Sequence, residues 1–125
     1  MKKILLIEDN DDIRENTCEL LELEGYEVVA ATDGRAGMLL AQECLPDIIL
    51  CDIMMPQADG YEVFRELKAI PSTAAIPFIF LTANSENTEM EAAMRLGADG
   101  YIRKPFSPEE LLEVLGRCCL LADKH

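Results

Sequence analysis

Asp47-Ile48-Ile49-Leu50-Cys51-Asp52-Ile53-Met54-Met55-Pro56, closed by Asp59-Gly60, is the stretch whose reading decides the fold. Four apolar residues, Ile48 to Cys51, run without a break and end on an acid. An unbroken run of this kind between turn signals reads as a strand covered on both faces, the habit of parallel sheets. In open parallel sheets, ligands bind outside the carboxyl ends of the strands. Asp52 therefore falls at the rim where function collects. Pro56 and Gly60 turn the chain, so the carboxylate is held on a short loop and is not carried into a helix.

Working outward, three further runs end in polar chemistry. Ile4 to Ile7 leads into Glu8-Asp9, Phe78 to Leu81 into Thr82-Ala83-Asn84, and Gly100 to Arg103 into Lys104-Pro105-Phe106. Tyr26 to Ala31 is less hydrophobic and reads as a strand nearer an edge. Helical patterns lie between these runs. Asn10, Asp11 and Asp12 offer caps and favourable charge for a first helix with Ile13, Thr17, Leu20, Leu21 and Glu24 along one face, ended by Gly25. After the Asp33-Gly34 turn, Ala36, Leu39, Leu40 and Cys44 mark the inner face of a second helix, stopped by Pro46. A third follows Gly60, with Val63, Phe64 and Leu67 inward, and Ala69 to Pro77 is a loop. A fourth spans Glu86 to Leu96, with Met90, Ala93, Met94 and Gly97 on one side. The last opens with Ser107 as N-cap, Pro108 at the first position and Glu110 completing a capping box. Phe106 and Leu111 suit a hydrophobic staple, and Leu111, Leu112, Leu115, Cys118 and Cys119 face inward. Strand and helix alternate five times, which predicts a doubly wound α/β fold.

Composition sets bounds. The 125 residues, half of them hydrophobic and 28% charged, suit one domain over residues 1–125 with a sizeable core. A formal net charge of −13 argues against a nucleic-acid or anionic-membrane surface. Some of these acids are expected to gather around a cation, and the majority to form a solvated surface. Five cysteines without CxxC or zinc-like spacing point to reduced thiols and a cytoplasmic setting. Cys51 is read as core, and Cys118 and Cys119 as packing on the last helix. The one histidine, His125, leaves no histidine cluster for a metal or a triad. Met1-Lys2-Lys3 before four apolar residues mimics a leader, but the run stops at Glu8, too short for a signal core or a membrane span.

If the first and third strands are neighbours, Glu8, Asp9 and Asp52 converge. Three carboxylates in one cleft repel one another and raise at least one pKa. A hard divalent cation that keeps part of its water, such as Mg²⁺, relieves that repulsion. Lys104 supplies a fixed positive charge and Thr82 a hydroxyl donor. These are the parts needed for phosphoryl transfer to a carboxylate: counter-charge for the phosphoryl oxygens and a nucleophilic acid in line. The bland alternative makes Glu8, Asp9 and Asp52 helix-start and loop acids, Thr82 a strand-end hydroxyl, Lys104 a surface charge and Tyr101 a packed aromatic. Four pieces on four strand ends, in order, favour the site.

With those pieces in place, the chain resembles the receiver domain of response regulators, the CheY-like family of two-component signalling. The matching residues are Ile7-Glu8-Asp9, Asp52-Ile53-Met54-Met55-Pro56 with Asp59-Gly60, Leu81-Thr82-Ala83, and Gly100 to Phe106. The resemblance implies a flavodoxin-like sheet in the order 2-1-3-4-5. It implies Asp52 as phosphoacceptor, and Mg²⁺ (with Mn²⁺ as a substitute) held by Asp9 directly, Glu8 through water, Asp52 and the Met54 backbone carbonyl. Thr82, the Ala83 backbone and Lys104 would meet the phosphoryl group, Tyr101 would be an aromatic switch, and the Lys104-Pro105 bond would be cis, a state open to X-Pro bonds. Met54 and Asn84 occupy the two positions that tune phosphoryl lifetime.

The same resemblance implies a histidine kinase or phosphotransfer protein as donor. It places the readout on the fourth helix, fifth strand and fifth helix, toward an output protein, a fused output domain or a homodimer. No nucleic acid, no membrane and no turnover of an external substrate are expected. Whether the chain stands alone or is a receiver from a longer protein stays open. A haloacid-dehalogenase-type phosphohydrolase needs a second acid two residues after its aspartate, where Met54 stands. A flavodoxin-like cofactor binder needs a Gly-rich phosphate loop that does not follow the first strand. A receiver scaffold that binds partners without phosphorylation is the remaining alternative.

Overall fold

The computed structural model describes residues 2–55, 58–82, 91–92 and 94–123. Pro56, Ala83, Asn84, His125 and most of the fourth expected helix lie outside the described residues, as does the side chain of Cys119. Five parallel strands form one sheet in the order β2-β1-β3-β4-β5: β1 Lys3–Ile7, β2 Glu27–Ala31, β3 Ile48–Asp52, β4 Phe78–Thr82 and β5 Gly100–Arg103. Helices α1 (Asp11–Leu23), α2 (Gly34–Cys44), α3 (Gly60–Ala69) and a C-terminal helix (Pro108–Asp123) connect and flank them. Glu91, Ala92, Met94 and Arg95 are also helical, and Gly97 closes that segment in the left-handed region at φ 99°.

The central strands are buried on both faces, and their side chains divide by alternation. Leu5, Ile7, Ile49, Cys51, Phe78 and Phe80 pack with Ala41, Val63, Phe64 and Leu67 of α2 and α3. Ile4, Leu6, Ile48, Leu50, Ile79 and Leu81 face the other way, onto Leu21 of α1 and Leu111, Leu115 and Cys118 of the C-terminal helix. Each fully buried Leu, Ile or Phe contributes about 1.5–3 kcal/mol of transfer free energy. Phe64, Phe78 and Phe80 stack with centroids 5.0–5.6 Å apart and anchor α3 beneath β3 and β4.

Short polar side chains start α1, α2, α3 and the C-terminal helix. Asn10, Asp33, Asp59 and Ser107 accept from the backbone N–H of Ile13, Ala36, Glu62 and Glu110 at 2.9–3.1 Å. Asp33 and Asp59, read from sequence as turn residues, are thus caps as well. At the opposite edge of the sheet, Asp47 accepts the Lys3 N–H at 2.7 Å and Asp99 the Phe78 N–H at 2.9 Å. These two acids close strand beginnings and are not free surface charge.

Several expected details shift. Tyr26 precedes β2, which begins at Glu27. Glu24 and Leu39 are exposed, and so is Met94, each having been assigned to an inner face. On α2 the buried face is Gly34, Gly37 and Ala41. A Cβ on Gly37 would press into the Ile7 side chain, so the helix lies close on β1 through small residues and turns Leu39 outward. Gly60 does not serve as a turn glycine. It is the first residue of α3, and its N–H donates to the Ile53 carbonyl at 2.9 Å. A Cβ there would stand 2.6 Å from the Asp52 carbonyl oxygen and 2.9 Å from the Ile53 Cα. The neighbouring atoms are backbone and cannot step aside.

Gly60→Ala should therefore cost roughly 1–3 kcal/mol, the usual penalty of overpacking. Gly116→Ala, in the C-terminal helix with nothing within 4 Å of the added methyl, should stabilise by about 0.4–1 kcal/mol. Urea denaturation of both variants checks the pair. Equal effects would show that the Gly60 approach is not tight.

Candidate functional site

The register that orders the sheet also builds the site. Ile7 pairs with Cys51, Asp52 with Leu81, and Thr82 with Arg103, so four strands end at one level. The residues just past those ends then meet. One carboxylate oxygen from each of Glu8, Asp9 and Asp52 lies within 4.8 Å of the others. Glu8 and Asp52 are buried, at 0% and 4% exposure, while Asp9 is exposed. Lys104 reaches in from the end of β5, with Nζ 2.7 Å from Glu8 Oε1 and 3.2 Å from Asp52 Oδ2. The Lys104-Pro105 peptide is cis. Thr82 is fully buried at the end of β4, beside the strand that carries Asp52.

One ammonium cannot balance three carboxylates. Burial is the largest influence on Asp52 and pushes its carboxyl up; the hydrogen bond and negative charge of Glu8 add to this, Lys104 partly opposes it, and the result is about 7. For Glu8 burial also raises the pKa, but the hydrogen bonds from Asp52 and Lys104, the Lys104 charge and the Asn10 N–H together outweigh it and leave the pKa lowered. The Asn10 N–H donates to Glu8 Oε2 at 3.3 Å. Glu8 thus holds the firmer contacts and the charge, and of the two it is Asp52 that takes up the proton as pH falls below about 7. The Lys104 pKa rises despite burial, because Glu8 and Asp52 both favour its charged form.

Asp52 Oδ1 is buried with no hydrogen-bond partner among the described residues. An orphaned carboxylate oxygen, two more carboxylates nearby and an excess of negative charge fit a hard divalent cation that takes oxygen ligands and keeps several waters. Cys51 is not a rival ligand. Burial drives its thiol well above the ordinary range, and its Sγ contacts the Asp52 carbonyl at 3.4 Å. Deprotonated, Asp52 is a nucleophile beside a fixed cation.

The remaining expected residues fall around this centre. The Met54 side chain is 68% exposed, on a loop pinned by Ile53 N–H to the Leu81 carbonyl at 3.0 Å and Gly60 N–H to the Ile53 carbonyl. Tyr101 is half-buried against the core on the α2/α3 side, and its hydroxyl is buried with no hydrogen-bond partner among the described residues. Ala83 and Asn84 lie outside the described residues. Sequence reasoning missed Arg14, whose Nη1 donates to the Glu8 carbonyl at 3.1 Å. A cation in the first turn of a helix opposes the helix dipole, and that unfavourable sign was the available signal.

These shifts have a pH consequence. Asp52 binds its proton more tightly in the folded chain, so its effect on metal-free stability worsens as pH rises from about 4 to about 7. The depressed Glu8 contributes stability above its unfolded value and loses it only on acidification below about 4.5. Asp52→Asn should therefore raise the melting temperature of metal-free protein by several degrees at pH 8, on the order of a few kcal/mol, and by much less at pH 5. Thermal melts in chelator at the two pH values check this. A destabilised Asn variant at pH 8 would contradict it.

Comparison with known proteins gives the same frame. The profile of the response regulator receiver domain matches residues 4–116. The chain is 41% identical over 119 residues to a probable transcriptional regulator, ycf27, of Galdieria sulphuraria, covering 95% of this chain and 45% of that protein. It is 39% identical over 112 residues to the response regulator SaeR of Staphylococcus aureus, covering 90% and 48%. The chain thus spans about half the length of the curated relatives it matches. Among solved structures it is similar to the chemotaxis protein CheY4 of Vibrio cholerae, with TM-score 0.89, 33% identity and coverage of 94% and 98%. It is also similar to a receiver domain protein of Clostridium thermocellum, with TM-score 0.92, 30% identity and coverage of 98% of both chains. With the sheet order, the buried acid pair and the lysine between them already in place, these matches assign the chain to the response regulator receiver domains of two-component signalling.

Proposed function

We propose that this receiver domain is a phosphoacceptor switch in which Asp52 takes a phosphoryl group from a histidine kinase or phosphotransfer protein. The observation that carries this reading is the buried Asp52 carboxylate, with Oδ2 on Lys104 and Oδ1 unpartnered among the described residues. An Asp52 oxygen attacks phosphorus, the bond to the donor's leaving atom breaks with its electron pair, and an acyl phosphate forms. Asp9 directly, Glu8 through water, Asp52 and the Met54 carbonyl would hold Mg²⁺, or Mn²⁺ in its place. When bound, that ion neutralises charge on the phosphoryl oxygens. Lys104 would leave its contact with Asp52 to pair with a phosphoryl oxygen. Thr82 and the Ala83 N–H would donate to the others.

Such new contacts act by biasing a pre-existing equilibrium between two arrangements. The readout would involve Tyr101 and the surface of the fourth helix, β5 and the C-terminal helix, offered to an output protein, a fused output domain or a second copy. No helix among the described residues is long and apolar enough to cross a membrane, and the net charge of −13 disfavours direct nucleic-acid contact by this segment. The domain would assist its own phosphorylation and dephosphorylation without turning over an external substrate.

Incubation with acetyl phosphate and Mg²⁺ followed by intact-mass measurement should show one added phosphoryl group in the parent and none in Asp52→Asn. No addition to either would favour the phosphorylation-independent scaffold. Met54 cannot orient an attacking water by hydrogen bond, whereas Asn84 carries an amide that can. The phosphoryl group should therefore be lost slowly to moderately, and Met54→Asn should speed its loss. A time course of phosphate release reads this, and an unchanged rate would sink the assignment of Met54.

A further inference from the structure

We infer that Arg14 is a positioning residue for the cation site, holding the turn between β1 and α1 so that the Asp9 carboxylate meets those of Glu8 and Asp52. The inference rests on the reading of these three acids as a cation site. Arg14 sits in the first turn of α1, where the dipole disfavours a cation, yet its side chain is only 14% exposed. Two contacts compensate. Nη1 donates to the Glu8 carbonyl at 3.1 Å, and Nη2 meets Asp11 Oδ1 at 2.6 Å. The Arg14 backbone N–H also donates to the Asn10 carbonyl at 3.0 Å. That last bond is the ordinary helix bond, but the guanidinium by itself ties Glu8 to Asp11, which bracket Asp9.

The effect on Glu8 is complete restraint. Its N–H donates to the Ala31 carbonyl at 3.1 Å, its carbonyl accepts from Arg14, Oε1 accepts from Lys104 at 2.7 Å and Oε2 from the Asn10 N–H at 3.3 Å. Of these partners, Arg14 is the one that joins Glu8 to α1 by a side chain. Asp9 follows directly and is exposed, so its carboxylate is placed by the backbone on either side of it.

Charge and positioning predict opposite signs. A guanidinium near a cation site repels the ion, so if Arg14 acted through its charge, removing it would tighten binding. If it acts by holding the turn, removing it weakens binding, because partners that orient metal ligands are worth about tenfold or more in affinity.

Calorimetric titration with Mg²⁺ of the parent, Arg14→Met and Arg14→Lys decides between them, with thermal melts as the check on folding. The expected result is a Kd raised about tenfold in Arg14→Met. Arg14→Lys, which keeps the charge but has no fork to serve Glu8 and Asp11 together, should fall between Met and parent. An Arg14→Met Kd equal to or tighter than the parent's overturns the inference, whatever happens to the melting temperature. Should that variant fail to fold, Arg14→Lys decides, and binding equal to or tighter than the parent's overturns it. A parent that binds no Mg²⁺ at all would instead overturn the cation-site reading on which the inference rests.

Discussion

The Lys104 ammonium, 2.7 Å from Glu8 and 3.2 Å from Asp52, is the contact on which the rest of the structure depends. It joins the end of β5 to the ends of β1 and β3, across a sheet in which β4 lies between β3 and β5. Without it, two buried carboxylates would face each other in a low-dielectric pocket. Removing one partner of a buried charge set costs about 3–5 kcal/mol, because the remaining charge is left uncompensated. The lysine reduces the repulsion but does not abolish it, and below about pH 7 a proton on Asp52 makes up part of the difference. A group whose balance depends on a proton responds to whatever else brings positive charge or accepts negative charge there.

That frustration needs a rigid frame, or the acids would swing apart into water. The five parallel strands supply it. Their alternating side chains fill two separate cores, one under α2 and α3 and one under α1 and the C-terminal helix. With both faces covered, strand ends are the places where polar groups can gather without disrupting packing. The Gly60 backbone lies against the Asp52 carbonyl at the end of β3, and Arg14 Nη1 donates to the Glu8 carbonyl just past β1. Both contacts involve main-chain atoms, so they hold the backbone under each acid without using a carboxylate oxygen.

Much of this was legible in the residues, and the parts that were not share a cause. Strands β1, β3 and β4 announce themselves as apolar runs, and each ends on chemistry, so the residues alone place Glu8, Asp9, Asp52 and Thr82 at one rim. Ser107, Pro108 and Glu110 mark a helix start by local rules alone. Leu39 is exposed although an apolar count places it inward, because α2 lies close through Gly34, Gly37 and Ala41 and leaves only Met38 and Leu40 partly buried against the core. Gly60 reads as a turn residue from sequence because its tertiary reason, an approach to the backbone of β3, has no sequence signature. Arg14 was missed because its partner is a carbonyl, which every residue carries. The strand order likewise came from family likeness, since neighbouring strands in a parallel sheet are not encoded by local pattern.

The most direct test of the account is the ionisation of Asp52 itself. Carbon-13 NMR of the side-chain carboxyl, titrated in chelator and again in Mg²⁺, reads the charge balance without relying on phosphorylation or on stability. A metal-free value near 7, falling well below the ordinary carboxylate range when Mg²⁺ is added, is the predicted result. A carboxyl that titrates near 4 with and without Mg²⁺ would mean that burial and Glu8 do not strain it, and would contradict the central claim.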